Sequence, residues 1–386
     1  MVLTAPGQTI GVSVFTDHLI EDLSLSRSQV STSYLVGTLL GATTLPVVGR
    51  WIDRHGVRRM LTVIGLAFGL ALVATSGVTG MITLGLAFTG IRMLGQGSLG
   101  LVSQTATALW FDRKRGFAIA LQMTLSAGLM SLAPLVLQRS ISTFGWRGAW
   151  VASGIAIWLT VVPIARFVMV DRPSSIGQVP DGASIEIEGV IPVSRPSSTV
   201  AEAIRTPAFW SVGAMTALTS ALITGLTFHH ISIMTSNGLS EAQAAAMFFP
   251  MTIGTVTFGF GYGWLTDRVS ARLLVPTAGL SLVAGLLMAT MIRPGPLVIG
   301  YALLIGANAG AVRALSAALY PKWFGTAHIG AIRGVATVLG VGSSAIGPLI
   351  ISVGNDMTGS YDTIFVLAAV VAAAVTLLTV TVADPA

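Results

Sequence analysis

The amino-acid sequence predicts an all-α membrane protein with about twelve transmembrane helices, arranged as two parallel six-helix halves. Composition is the first observation behind this prediction. Hydrophobic residues make up 53% of the chain and charged residues only 9%, whereas soluble domains carry roughly a quarter charged residues. In hydrocarbon, backbone polar groups must be satisfied within their own segment, so long apolar runs are expected to be helices. The second observation is an internal repeat that relates the two halves of the chain.

The apolar runs have the length that crosses a bilayer, about 20 residues each. The expected spans cover roughly 1–20, 31–51, 60–78, 81–108, 116–138, 147–168, 207–233, 241–265, 272–291, 296–318, 328–353 and 361–382. A Pro/Ser/Gly-rich segment without helical periodicity follows the sixth span. The sequence therefore predicts an N-terminal half over 1–168, a linker over 169–206 and a C-terminal half over 207–386.

The repeat has an offset of 214 residues and is clearest in two charged hairpins. Segment 49–59 follows the second span, and a weaker copy at 263–272 follows the eighth. The residues that match at this offset are Asp53, Arg54 and Arg58 with Asp267, Arg268 and Arg272, segment 25–29 with 239–243, Pro134 with Pro348, and Gly145 with Gly359. Because each half has an even number of spans, the two halves are expected to be parallel repeats, related by an axis along the membrane normal.

Charge in the short loops predicts the orientation. Most loop Lys and Arg residues lie on the side of the hairpins, which the positive-inside rule makes the cytoplasmic side. The other side carries only Arg27, Arg139, Arg147 and Arg293. We therefore expect a multi-pass protein of the plasma membrane, as in the bacterial inner membrane, with the linker and the C-terminus in the cytoplasm. The first span is shorter than its repeat mate, which suggests missing residues before Met1. A secretory signal is the alternative, but a basic n-region is absent.

The pair of hairpins resembles the loop signature of the major facilitator superfamily of transporters. This resemblance implies that Asp53 and Asp267 brace the cytoplasmic face while the transporter is open outward, and that the hairpin arginines hold the acid and contact lipid headgroups. A carboxylate in this place can approach a helix N-terminus, where the dipole favours negative charge. The alternative is that the hairpins only anchor the topology. In the second copy, Ser270 replaces the glycine.

Arg92 is expected about ten residues into the fourth span, near the bilayer midplane. An arginine at this depth is a functional candidate by default. Gln96, Ser103 and Thr107 are predicted to share its helical face. Segment 90–97 resembles the fourth-helix motif of the superfamily, in which the arginine is associated with coupling or cavity charge. The alternative is a structural arginine that caps broken backbone between helices.

The later spans contain three more polar candidates. Arg313 and Arg333 are expected one or two turns from the cytoplasmic surface, where they would form a basic gate for an anionic substrate or extend to the interface. Asn308 is expected to be deeper, either to bind substrate or to join helices.

Histidines and one acid mark the outer ends of the first and seventh spans. Asp17, with His18, lies at nearly the repeat height of His229 and His230. Because histidine titrates near physiological pH, these residues are candidates for an outer proton site. The alternative is that they are solvated helix ends.

Several short segments resemble bacterial members of the superfamily near the monocarboxylate and oxalate–formate branch. They are 6–9, 22–27, 172–182 and 330–334. The resemblance implies transport of a small organic anion, such as a carboxylate, by alternating access with proton symport or anion exchange. The eighth span departs from the monocarboxylate members because 242–265 holds no arginine or aspartate. A proton-coupled drug or metabolite exporter is the alternative within transport.

Other protein classes fit less well. A membrane-embedded enzyme needs a catalytic constellation, and the sequence has no Cys, no His-Glu-x-x-His and no Gly-Lys-Ser/Thr. It therefore predicts neither a metal nor a cofactor. A transport-dead receptor would be expected to carry a signalling domain. The pI near 10.3 reflects loop arginines rather than nucleic-acid binding. The expected partners are the lipid bilayer, a small substrate and protons, and the resemblance implies a monomer.

Overall fold

The computed structural model describes residues 2–111, 115–177, 198–266, 268–325 and 329–380. It divides into two compact units, Met1–Val190 and Ile191–Ala386, whose boundary falls inside the predicted linker. The described residues form helices and no β-strand, so the predicted all-α fold is confirmed. The domain boundaries themselves stay a prediction.

Unit 1 is built from helices that are often interrupted. Its α-helices are α1 (Thr9–Val12), α2 (Thr16–Leu23), α3 (Arg27–Thr43), α4 (Leu45–His55), α5 (Val57–Thr75), α6 (Met81–Ile91), α7 (Leu99–Trp110), α8 (Arg115–Met130) and α9 (Ala133–Pro163). Short 3₁₀ helices cover Val2–Gly7 and Pro173–Ile176, and π-helical turns cover Arg92–Ser98 and Ile164–Val168. The first, second and fourth predicted spans are therefore each assembled from two or more pieces.

Unit 2 has longer, more continuous helices. They are α10 (Val200–Ala203), α11 (Pro207–Phe228), α12 (His230–Ser236), α13 (Glu241–Ala246), α14 (Phe248–Leu265), α15 (Ala271–Ala289), α16 (Pro296–Phe324), α17 (Ile329–Thr358) and α18 (Tyr361–Val380). Over the described residues, eight stretches are long and apolar enough to cross a membrane. One of them, Thr124–Val168, has 45 residues, enough to cross twice.

The repeat appears in the backbone as well as in the sequence. The Ser26 and Ser240 hydroxyls both accept a hydrogen bond from the backbone N–H three residues later, and the backbone N–H of each serine donates to the side chain of Gln29 or Gln243. These two capping boxes satisfy donors that a helix start leaves unpaired. They begin α3 and α13, at the start of the second predicted span of each half.

Two glycines make the corresponding turns between the fifth and sixth predicted spans of each half. Gly145 has φ of 69° and Gly359 has φ of 68°. This left-handed region is open to glycine at little cost. In unit 1 the turn at Gly145 divides the long helix α9 into two arms, so the 45-residue stretch is a pair of spans.

Glycine also allows close contact between α11 and α17. A Cβ on Gly347 would overlap the carbonyl oxygen of Ala221, so the two backbones touch. Small residues at such crossings are typical of membrane helices, where packing replaces the hydrophobic effect. Gly342, one and a half turns earlier on α17, has open space at its Cβ position. Only one of these two glycines is therefore required for packing.

Substitution of these two glycines separates the packing role from helix propensity. Gly347→Ala is expected to lower stability by about 1–3 kcal/mol, the usual cost of overpacking. Gly342→Ala is expected to be neutral or to stabilise by up to about 1 kcal/mol, because alanine favours helix. Thermal unfolding of the two purified variants in one detergent checks this. Equal melting temperatures would contradict the contact.

Candidate functional site

Arg92 lies near the middle of the fourth span and is buried inside unit 1. It is the first residue of the π-helical turn between α6 and α7, and only 5% of it is exposed. Its Nε donates to Thr38 Oγ1 at 3.1 Å, and its Nη1 is 3.4 Å from both the Gly7 carbonyl oxygen and Thr9 Oγ1. The guanidinium also stacks 4.6 Å from the centroid of the Tyr34 ring.

These contacts connect the fourth span to the first and second. Gly7 ends the 3₁₀ helix just before a break in the first span, where carbonyl groups lack partners within the helix. Arg92 therefore covers broken backbone, which is the structural alternative that the sequence left open. A role in coupling is not tested by these contacts and stays a prediction.

The predicted polar face around Arg92 does not form. Gln96 is exposed while Arg92 is buried. Farther along, Ser103 Oγ accepts from Gln122 Nε2 at 2.5 Å, and Thr107 Oγ1 donates to Gln122 Oε1 at 2.9 Å. Helix α8 thus occupies both hydroxyls. A π turn holds an extra residue, so it rotates the later part of the span, and an α-helical projection of the sequence misses this rotation.

Asn308 joins two helices of unit 2. It is fully buried, and its Nδ2 donates to the Ala278 carbonyl oxygen of α15 at 2.8 Å. Its Oδ1 is buried without a hydrogen-bond partner among the described residues. This geometry matches the helix-joining interpretation, and the substrate role stays a prediction.

Arg313 differs from the other interior polar residues because its side chain is exposed. It makes no hydrogen bond or ion pair with another side chain in the described part of the chain. The expected depth of one or two turns from the membrane surface stays a prediction, but α16 continues past the predicted span to Phe324. Arg313 lies eleven residues from that end, about 16 Å at 1.5 Å per residue. It is thus close to the midpoint of a helix long enough to cross a bilayer.

Arg333 lies in the second turn of α17 and is also exposed. It is only four residues from the helix start at Ile329, about 6 Å along the axis. Its place early in this helix is as expected from the sequence, and its depth in the membrane stays a prediction. Like Arg313, it makes no ion pair or hydrogen bond through its side chain within the described residues.

The two histidines are not solvated helix ends. Both side chains are buried, with at most 1% exposed. His229 Nε2 lies 3.0 Å from the Pro348 carbonyl oxygen, and His230 Nε2 lies 3.0 Å from that of Ala244. Because a carbonyl oxygen only accepts, each Nε2 must carry the proton. The histidines therefore tie α11 to α17 and α12 to α13, and their proposed proton role stays a prediction.

Ion pairs lie at the end of unit 1 away from the hairpin. Asp17 Oδ1 pairs with Arg27 Nη1 at 2.9 Å. Arg147, which sequence reasoning treated only as a loop charge, pairs with Asp22 at 2.7 Å and donates to the carbonyl oxygens of Ser76 and Val78. Half-exposed pairs of this kind contribute little stability alone. Their effect is to tie the loops together.

The hairpin arginines mostly bind backbone. Arg58 Nη2 donates to the Arg166 carbonyl oxygen, and Arg272 Nε donates to that of Val380. Both bonds span 108 residues and occupy matching repeat positions, so each half closes its third and sixth helices in the same way. Arg268 folds onto Trp264, 4.0 Å from its ring centroid. Arg54 is exposed. The Asp53 side chain and all of Asp267 lie outside the described residues.

An acid that the sequence assigned to the linker reaches the first hairpin. Asp171 Oδ1 accepts the backbone N–H of Arg58 at 2.7 Å, at the start of α5. Asp171 thus places a carboxylate on a helix N-terminus from 113 residues away, and the predicted role of Asp53 and Asp267 stays a prediction. The only signal in the sequence is that this acid comes directly after the sixth span.

Comparison with known proteins identifies the family. The family model described as Major Facilitator Superfamily matches residues 1–256. The chain belongs to the major facilitator superfamily. It is a multi-pass membrane transporter, not an enzyme.

Relatives agree with this assignment. The uncharacterized MFS-type transporter YhjX of Escherichia coli (strain K12) is 26% identical over 348 residues, which is 88% of this chain and 82% of that protein. The probable sulfoacetate transporter SauU of Cupriavidus necator is 24% identical over 177 residues, 44% of this chain and 39% of that one.

The fold also matches a solved superfamily structure. The bacterial homolog of the human lysosomal transporter Spinster, inward-facing and unoccupied, aligns with a TM-score of 0.75 at 16% identity, covering 98% of this chain and 94% of that one.

Loss of the Arg92 side chain is expected to cost stability as well as transport. Arg92→Gln removes charged hydrogen bonds, which are worth about 1.5–3 kcal/mol, and exposes the Gly7 carbonyl in an apolar interior. We expect a loss of roughly 2 kcal/mol, measured by thermal unfolding in detergent. Arg293→Gln, in an exposed loop, is the matched control. A stable Arg92→Gln variant without transport would instead assign Arg92 to substrate or coupling.

Proposed function

We propose that this transporter carries a small organic anion, such as a carboxylate, by alternating access. The observation that supports this most directly is the state of Arg313. It is a cation close to the midpoint of a membrane-length helix, it is exposed, and its side chain has no partner within the described residues.

An arginine at that depth is costly in lipid, by about 2.5–3.5 kcal/mol on insertion scales, and such residues face a water-filled path. The described helices α13, α17 and α18 of unit 2 carry Glu241, Asp356 and Asp362 only in their first or last turns. Among these described helices, an acid that could offset the Arg313 charge near mid-helix is therefore absent. A water-filled path beside Arg313 would be electropositive and would favour anions.

Arg333 supports the same interpretation from a second helix. Arg313 lies about 16 Å from the hairpin end of α16, and Arg333 about 6 Å from the hairpin end of α17. The two cations are thus staggered by about 10 Å along the helix axes. An anion that leaves Arg313 would meet Arg333 next, nearer the hairpin side. The loop charges support the proposal that this side is cytoplasmic.

One relative points to the same substrate class. The name of SauU includes sulfoacetate, which carries a sulfonate and a carboxylate. The similarity covers less than half of this chain, so it supports anion transport without specifying the anion. We extend the proposal to proton symport or anion exchange, which flux measurements distinguish. A relationship to the monocarboxylate and oxalate–formate branch belongs to the same proposal.

Charge removal at Arg313 tests the proposal. The protein is reconstituted in liposomes that contain a pH-sensitive dye, and oxalate, formate, acetate, pyruvate and sulfoacetate are supplied outside as labelled compounds. We expect one of them to enter faster than into empty liposomes. Arg313→Gln should lower kcat/KM roughly 10–100-fold, because a charge-assisted hydrogen bond is worth about 1.5–3 kcal/mol. Arg313→Lys should keep part of the activity, and the melting temperature should not change.

The controls make the result specific. Arg293→Gln also removes one arginine but lies in an exposed loop, so it should transport normally. Internal acidification with uptake indicates proton symport, whereas exchange of label at constant pH indicates antiport. If no anion moves and lipophilic cations are exported instead, the anion proposal is wrong and the exporter takes its place.

A further inference from the structure

The N-terminus of α5 is completed by a residue from outside the helix. The helix begins at Val57, and its N-cap, Gly56, has no side chain to satisfy the first N–H groups. Asp171 fills this gap, because its Oδ1 accepts the Arg58 N–H at 2.7 Å. A carboxylate in this position satisfies an unpaired donor and also interacts favourably with the positive end of the helix dipole.

Gly56 fits the carboxylate closely. Its φ is 81°, a conformation that other residues rarely adopt. A Cβ at this position would lie 2.6 Å from Asp171 Oδ1 and 2.8 Å from its Cγ. The hairpin therefore needs glycine both for its turn and to admit Asp171.

A second bond runs between the same two elements. Arg58 donates its backbone N–H to Asp171 and its Nη2 to the carbonyl oxygen of Arg166. Arg166 lies in the π-helical turn that ends the sixth span. Arg58 therefore makes two hydrogen bonds to the end of the sixth span. One goes to Arg166, just before the π turn ends at Val168, and the other goes to Asp171, just after it.

Unit 2 provides an internal comparison. It keeps the arginine bond, from Arg272 to Val380, but Ser270 replaces the glycine, with an ordinary φ of −65°. The arginine bond is therefore common to both halves. The close fit of glycine and carboxylate is described in unit 1, in the half whose hairpin carries the complete superfamily signature.

We propose that Asp171 is a positioning residue of the transport cycle. Its carboxylate fixes the start of α5 against the end of the sixth span, and so sets the position of the last turn of α4, which carries Asp53. This inference rests on the transporter family, not on the identity of the substrate. Without Asp171, the α5 N-terminus loses its partner and the hairpin moves relative to the sixth span.

A distance measurement within unit 1 tests this directly. The chain has no Cys, so His55→Cys and Leu159→Cys place spin labels on the hairpin and on the sixth span without further changes. Both positions are exposed. The distance distribution is recorded for the parent pair and for Asp171→Ala, Asp171→Asn and Asp362→Asn. Asp362 is an exposed acid of α18 and serves as the matched control.

We expect a narrow distribution in the parent and the Asp362→Asn control, and a clearly broader one in Asp171→Ala. Asp171→Asn, which keeps an accepting oxygen but loses the charge, should lie between them. If Asp171→Ala is not recovered as folded protein, Asp171→Asn is judged by the same comparison. An unchanged distribution would overturn the proposal.

Transport supplies the second readout, with oxalate as the probe anion. Asp171→Ala should lower the maximal uptake rate at least threefold and leave KM unchanged, because the hairpin is not where the anion binds. A higher KM with an unchanged rate would make Asp171 a binding residue and overturn the proposal. If oxalate is not transported at all, the proposed function loses support while the distance measurement still decides the role of Asp171.

Discussion

Hydrogen bonds from buried polar side chains to backbone carbonyl oxygens join the spans of this protein to one another. A membrane interior offers no water to an unpaired carbonyl, and each such group costs several kcal/mol. Arg92 binds the Gly7 carbonyl, His229 that of Pro348, and Asn308 that of Ala278. Arg92 covers a carbonyl at the broken first span, whereas His229 and Asn308 donate to carbonyls within the continuous helices α17 and α15. The common task of these side chains is to join one span to another.

This common task identifies the side chains that remain available for a substrate. A guanidinium that covers broken backbone and hydroxyls, as Arg92 does, cannot turn to a ligand without exposing them. Arg313 makes no side-chain hydrogen bond or ion pair among the described residues, and it is exposed close to the midpoint of its own helix. A secondary transporter can couple fluxes only through different affinities in its two states. An arginine without other hydrogen bonds, such as Arg313, can change its affinity for an anion between the two states more easily than Arg92, which is hydrogen-bonded to the backbone.

Sequence reasoning captured the fold and repeat because both depend on local patterns. The offset matched segment 25–29 with 239–243 and Gly145 with Gly359, and the structure then showed capping boxes and left-handed turns at these repeat positions. Contacts made across long separations were missed. The place of Asp171 directly after the sixth span is its one signal in the sequence, and this does not identify its partner. The partner is the N-terminus of α5, whose first residue, Val57, lies more than a hundred positions earlier.

Two expectations differ from the structure for separate physical reasons. The polar face around Arg92 does not form because a π turn changes the helical period. The alternative that His229 and His230 are solvated helix ends is wrong because carbonyl groups of other helices reach them, which the sequence could not show. The extent of α16 was also missed, because this helix continues past Pro321 and Lys322 to Phe324.

The fourth span of unit 1 and its repeat mate in unit 2, the tenth span, carry their arginines at different positions. This difference supports the proposal that unit 2 binds the charge of the substrate. The repeat position of Arg92 is Gly306, and that of Arg313 is Leu99. At Gly306 a Cβ would overlap the Met251 carbonyl oxygen, so unit 2 packs by direct backbone contact where unit 1 inserts a guanidinium. Leu99 is buried, whereas Arg313 is exposed. Each half therefore has one arginine near the middle of this span. Arg92 in unit 1 is hydrogen-bonded, whereas Arg313 in unit 2 makes no side-chain hydrogen bond or ion pair among the described residues.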